Sequence, residues 1–162
     1  MRRFFITLIS ALLLVPAAAS AQGGKDNLYD LFHDYGKTYK GFVFKDVTGL
    51  YRTAKLTLSA QDKEELEGVR HMYYVAWNRC TEAVQKSFLA ELNRITDGWV
   101  VYKSDSRMLM YKAPEGGEYV SDPIVIKDVE ITLKNRDEAP RIILFVEGSL
   151  PLKWAKEICA VL

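Results

Sequence analysis

Apolar residues recur at helical spacing where the polar part of the chain begins, and they predict a short amphipathic helix. The positions that share one face are Leu28, Leu31, Phe32 and Tyr35, which match the 3.6-residue period of a helix. Asp26 or Asn27 can cap the first turn, and Gly36 is placed to end the helix.

The segments that follow alternate between strand-like and helical patterns. Residues 38–45 are β-branched and aromatic, as a strand requires, and residues 47–58 return to helical spacing. Ser59 followed by Asp62 resembles a capping box, and it predicts a charged helical turn that stops near Gly68. Residues 69–77 predict a second strand, and residues 81–95 predict a long helix.

The second half of the chain changes to strands joined by short connections. Residues 99–103, 108–112, 124–133 and 141–147 alternate or run apolar, which is typical of antiparallel strands in hairpins. Pro151 suits the first position of a final helix. The sequence therefore predicts an α+β fold, with a largely antiparallel sheet and helices packed mainly on one face.

The first 21 residues have the pattern of a signal peptide. Arg2 and Arg3 precede an apolar run, and Ala19 to Ala21 form a small-x-small cleavage site ahead of Gln22. We therefore expect a signal peptide at 1–21 and a single α+β domain at 22–162. Gln22 stands where bacterial lipid attachment uses a Cys, so the predicted product is a periplasmic or secreted protein with no membrane span after processing.

Composition and charge disfavour some classes of function but do not identify one. Removing Arg2 and Arg3 from the 22 basic residues leaves 20 against 21 acidic ones, and this balance does not favour nucleic acid as a partner. No sequence motif for a cofactor, a metal or a catalytic triad stands out, so no cofactor is predicted. A lone His71 in a strand is more often structural than catalytic.

The two cysteines leave two alternatives open. Cys80 and Cys159 are the only cysteines of a chain expected to be exported, where oxidising conditions permit a disulfide. Both also lie on apolar helical faces, so two buried free thiols are the favoured interpretation.

The predicted hairpin sheet is the candidate interaction surface. Met108 and Met110 share one face of a strand, with Leu109 and Tyr111 on the other. If helices cover one side of the sheet, an apolar patch containing Met108, Met110 and Tyr111 is open to a partner, a second copy or a ligand. The alternative is that the loop at residues 112–123 covers it.

These features together resemble a known type of protein. An export signal, the NLYDLF helix, the GFVF and VRHMYYVAW strands and the late IILFVEGSLPL strand are similar to those of an uncharacterised domain-of-unknown-function family of small exported Gram-negative bacterial proteins. Many members look lipid-anchored, and Gln22 departs from that pattern. The resemblance implies no catalytic residues.

Two functional hypotheses follow. The first is an exported, non-enzymatic protein that binds an envelope or secreted partner through a sheet face or loop. The second is an enzyme whose site is assembled from dispersed carboxylates, tyrosines and His71. A concave pocket that gathers polar side chains would favour the enzyme, and a shallow exposed apolar surface would favour the binding protein.

We expect export with cleavage after Ala21 and no lipid, because the chain carries Gln22 at the anchoring position. Intact-mass measurement of protein from the periplasm or the medium checks this. A product that retains Met1, or one with added acyl mass, would contradict it.

Overall fold

The computed structural model describes residues 27–113, 116–127 and 141–162. In that part of the chain the helices are α1 (Leu28–Thr38), α2 (Thr48–Lys55), α3 (Ala60–Glu65), α4 (Glu82–Ile95) and α5 (Leu152–Val161). The strands are β1 (Val43–Asp46), β2 (Val69–Ala76), β3 (Val100–Ser104), β4 (Arg107–Tyr111), β5 (Tyr119–Ser121), β6 (Ile124–Lys127) and β7 (Ile142–Pro151).

All strand pairs of this sheet are antiparallel. Its order is β1-β2-β7-β6-β4-β3, and β5 pairs with the last three residues of β7. The long strand β7 therefore has β2 on one edge and β6 followed by β5 on the other. This arrangement confirms the predicted α+β class with an antiparallel sheet.

Side-chain caps start three of the helices, and the sequence predicts those at Asn27 and Ser59. The Asn27 side chain accepts a hydrogen bond from the backbone N–H of Asp30 at 2.9 Å. The Ser59 hydroxyl accepts one from the N–H of Asp62 at 3.1 Å, and Thr81 caps α4 in the same way. Each cap satisfies an N–H that has no partner within its own helix.

Gly36 does not end α1, so this detail of the prediction is wrong. The helix continues to Thr38, and Gly36 instead lies against strand β1. A Cβ on Gly36 would lie 2.9 Å from the Cβ of Phe44. The glycine therefore allows a close approach of helix and strand.

The apolar side chains form two clusters, one on each face of the sheet. On the first face α1 and α4 pack through aromatic contacts, with the Phe32 ring 6.0 Å from that of Phe88 and 5.6 Å from that of Phe145. On the second face α5 packs through Ala155 and Cys159. The helices are thus more widely distributed than the sequence pattern suggests, because the last helix covers the second face.

Two strands differ from the sequence-based prediction, and a third is described only in part. Strand β5 lies within the predicted connection at residues 112–123. Strand β7 runs on to Pro151, which precedes α5 as its N-cap instead of opening the helix. Strand β6 is described to Lys127, and the rest of the strand predicted at 124–133 lies outside the described residues.

The junction between β5 and β6 is built around Gly148. Asp122 has a positive φ of 49°, and its backbone N–H donates to the carbonyl of Gly148 at 2.8 Å. The Asp122 carboxylate accepts the N–H of Gly148, also at 2.8 Å. Gly148 itself has a φ of 116° and lies against the backbone of Gly68, so a side chain there would meet both strain and a clash.

The two cysteines are buried free thiols that belong to different clusters. Cys80 lies in the α1–α4 cluster and Cys159 in the α5 cluster. Because the sheet separates the clusters, a bond between the two sulfur atoms would have to cross it. Burial raises the pKa of both thiols, which lowers their reactivity.

We expect Gly148→Ala to lower the free energy of unfolding by about 2 kcal/mol or more, since the new methyl group meets the Gly68 backbone at an unfavourable φ. Chemical denaturation measures the change. Gly49→Ala is the matched control: nothing lies within 4 Å of the added atom, and in helix α2 the exchange should stabilise by about 0.5 kcal/mol. Equal effects of the two exchanges would contradict the close approach.

We also expect thiol titration of the unfolded, unreduced protein to find two free thiols. In the folded protein both should react slowly, since both are buried. Titration that finds no free thiol would show that the cysteines form a disulfide.

Candidate binding surfaces

Strand β3 is the outermost strand on one side of the described sheet, and its side chains are exposed. It pairs with β4 along its whole length, from Val100 opposite Tyr111 to Ser104 opposite Arg107. Three large apolar residues remain open to solvent, namely Val100 at 38%, Val101 at 45% and Tyr102 at 36%. An edge strand presents unpaired backbone N–H and C=O groups beside its side chains.

The hairpin that forms this edge follows from a tight turn. Ser104 pairs with Arg107, which leaves two residues to connect the strands. Asp105 takes a positive φ of 52° there, and Asp is one of the residues that tolerates this conformation. The turn fixes the register, so the side chains of β3 alternate between the two faces of the sheet.

The two faces of β3 differ in their neighbours. Tyr102 lies opposite Leu109 on the α5 face, where the ammonium of Lys156 lies 5.0 Å from the centre of the Tyr102 ring. Val101 lies opposite Met110 on the other face. Apolar surface is therefore available on both sides of the same edge.

The opposite edge of the sheet is different in character. Strand β1 has four residues, of which Lys45 and Asp46 are exposed. Its aromatic residue Phe44 packs against Tyr73, with ring centres 5.2 Å apart. A short edge that displays charges resists pairing with another chain, whereas β3 has a single charge, at Lys103.

The interaction surface predicted from the sequence lies in β4, the strand that pairs with β3. Its residues are Met108, Met110 and Tyr111. Met108 and Met110 are partly buried and pack against the α1–α4 cluster. Tyr111 is buried in the α5 cluster, at 7% exposure. Helix α5 contacts β4 on the Tyr111 face, and Val120 of the segment 112–123 is buried in the same cluster. The neighbouring strand β3 carries exposed apolar residues instead.

A cavity of about 230 Å³ lies at the other end of β3, on the α1–α4 face. Its apolar walls are Leu28 from α1, Ile95 from α4, Trp99 before β3, and Phe145 from β7. Asn27 and Tyr29 line it at the start of α1. Four charged residues complete the lining, namely Arg70, Lys112, Asp122 and Glu147.

Both carboxylates of the cavity are hydrogen-bonded. Glu147 accepts the hydroxyl of Tyr73 at 3.2 Å and lies 3.5 Å from the guanidinium of Arg70. Burial raises the pKa of Tyr73 well above its usual value, and the neighbouring Glu147 carboxylate adds to the rise. Asp122 accepts the N–H of Gly148. These carboxylates therefore act as acceptors within the fold.

His71 lies beside the cavity and not in its lining. It is the cross-strand neighbour of Glu147, and its ring stacks on Tyr73 with centres 5.9 Å apart. Within the described residues its Nδ1 atom is buried without a hydrogen-bond partner. The structure therefore places His71 near carboxylates and a tyrosine, but it does not bring a Ser or Cys nucleophile to it among the cavity residues.

No group of three or more His, Cys, Asp or Glu side chains in the described parts of the chain is placed to hold a metal ion. The histidine of α1, His33, lies 3.6 Å from Asp34 and stacks on Tyr29. These contacts fit a solvated helix face.

Sequence reasoning missed the two surfaces because both depend on contacts between distant segments of the chain. The exposed edge at β3 depends on strand order, which is set by pairings between distant segments. The cavity combines α1, β2, α4 and β7, and no local motif connects them. A signal for β3 was present in the VVY sequence, since an apolar run beside a polar turn fits an edge as well as an inner strand.

Comparisons with known proteins give no relatives. No protein-family model, no curated protein and no solved structure matches this chain. Among the described helices, none combines the length and the apolar character needed to cross a bilayer.

Proposed function

We propose that this protein is an exported, non-enzymatic binding protein that receives an extended segment of a partner protein along the open edge of β3. The expected export rests on residues 1–21, whose pattern is that of a signal peptide. The resemblance to small exported Gram-negative proteins agrees with a partner in the envelope or outside the cell.

The exposure of β3 is the observation that carries this proposal. Val100, Val101 and Tyr102 form a continuous apolar stretch on the outermost strand of the described sheet. Such an edge favours pairing with another strand unless charges or a proline protect it. The opposite edge at β1 displays two charges, Lys45 and Asp46, whereas the described part of β3 displays one, Lys103, beside three exposed apolar residues.

The chemistry of the edge defines the partner. Addition of a strand uses backbone hydrogen bonds for affinity and alternate side chains for specificity. A partner segment with apolar residues at alternate positions would contact Val101 on one face and Tyr102 on the other. The partner is therefore expected to be an extended polypeptide and not a compact small molecule.

The contacts of the cavity favour binding over catalysis. A general acid or base must be free to exchange a proton with a substrate. Glu147 and Asp122 are instead hydrogen-bonded to Tyr73 and Gly148. An enzyme assembled from these carboxylates, tyrosines and His71 remains the second hypothesis, with the proximity of His71 to Glu147 as its support.

Site-specific photocrosslinking tests the proposal. A photoreactive amino acid is placed at position 102 on β3 or, as a control, at position 45 on β1, in the full chain expressed in its native cells. We expect position 102 to crosslink to an extended segment of another protein, and position 45 not to. Mass spectrometry of the crosslinked peptide identifies that segment.

A matched pair of charge substitutions supplies the second arm. Val101→Lys should reduce the crosslink from position 102 at least about tenfold, because a lysine on an edge strand opposes strand addition. Leu56→Lys should leave it unchanged, since Leu56 is even more exposed, at 74%, and lies beyond α2. A crosslink to a second copy of the chain would overturn the proposal in favour of a homodimer. Equal yields at positions 102 and 45, or no crosslink, would also overturn it.

A further inference from the structure

The cavity beside Trp99 has the size and lining of a small-molecule site. An apolar cavity of about 150 Å³ accepts benzene, so about 230 Å³ accommodates a ring that carries one small polar group. Ile95 and Trp99 on its walls are partly exposed, whereas Phe145 and Leu28 expose little surface. The apolar body of a ligand would therefore contact mainly Ile95 and Trp99.

Among the described residues, both cations of the lining keep N–H donors that make no hydrogen bond, whereas Glu147 is engaged through both oxygen atoms and Asp122 through Oδ1. Arg70 contacts Glu147 through one nitrogen at 3.5 Å, and its side chain is 63% exposed. The ammonium of Lys112 lies 5.6 Å from the centre of the Trp99 ring, a contact that occupies none of its three N–H donors. The carboxylates are engaged as acceptors by Tyr73, Arg70 and Gly148.

This asymmetry selects the charge of a ligand. Donors that remain on Arg70 and Lys112 can bind an anionic group, and a planar carboxylate matches the geometry of a guanidinium.

We propose that this cavity binds a small organic carboxylate with a flat apolar body, about the size of benzoate. The carboxylate contacts Arg70 and Lys112, and the body packs against Ile95 and Trp99. This site is separate from the outer edge of β3 and does not depend on the proposed strand partner.

Three ligands of equal shape and different charge test the proposal. Benzoate, the neutral benzamide and the cationic benzylamine are each titrated into the protein that begins at Gln22. Chemical shifts of the protein are followed by NMR. We expect benzoate to bind with a Kd of about 1 mM or tighter, and benzamide at least about tenfold more weakly. The NMR signal of the Trp99 indole N–H should change its chemical shift when benzoate is added.

Lysine variants distinguish binding in the cavity from nonspecific attraction of benzoate to surface charge. Lys112→Gln should weaken benzoate at least about fivefold, and Lys112→Arg should retain binding. Lys156→Gln is the matched control, because Lys156 also lies over an aromatic ring, at Tyr102, but does not line the cavity. Thermal unfolding of each variant confirms that it is folded.

Four outcomes would overturn the inference. These are equal binding of benzoate and benzamide, equal effects of Lys112→Gln and Lys156→Gln, shifts that map away from Trp99, and no benzoate binding up to roughly 10 mM. None of them bears on crosslinking at β3, so the site and the proposed function fail separately.

Discussion

The fold depends on one constraint: strand β7 must be paired on both edges and buried on both faces. Its residues Ile143 and Phe145 belong to the α1–α4 cluster, while Val146 and Leu150 belong to the α5 cluster. A strand of this kind reads as a continuous apolar run, since neither face contacts water. With both edges occupied by β2, β6 and β5, β7 organises every other element around it. The exposed edge of the sheet is consequently three strands away, at β3.

Local chemistry made much of this fold predictable. The caps at Asn27, Ser59 and Thr81 act within three residues, so their signal is contained in a short stretch of sequence. Pairing and close approach are not local. From the sequence alone, Gly36 resembles a glycine that ends a helix. In the structure it allows the close approach of Phe44 to α1. Strand β5 forms by pairing with the last three residues of β7. A segment of three residues is too short to show a periodic pattern in the sequence. The proposed surfaces were missed for the same reason.

The two ends of β3 have different chemical properties. At its start, Trp99 and Lys112 line a concave cavity that contains both signs of charge. Along its length the strand is apolar and shallow. A concave site surrounds a small molecule, whereas a flat edge offers repeated backbone hydrogen bonds to a polypeptide. One hairpin thus carries both of the proposed binding surfaces, and the residues that line each can be changed independently.

The backbone contact between Gly68 and Gly148 has a consequence for tracing the ancestry of this fold. Both residues leave no space for a Cβ, because each lies against main-chain atoms of the other's segment. Main-chain atoms cannot be exchanged by mutation, so evolution cannot relieve the contact by altering a neighbouring side chain. A glycine at each position, before one inner strand and near the end of another, is therefore a long-range signature. We expect a glycine at both positions in any protein that keeps this backbone contact, including one whose apolar residues have diverged.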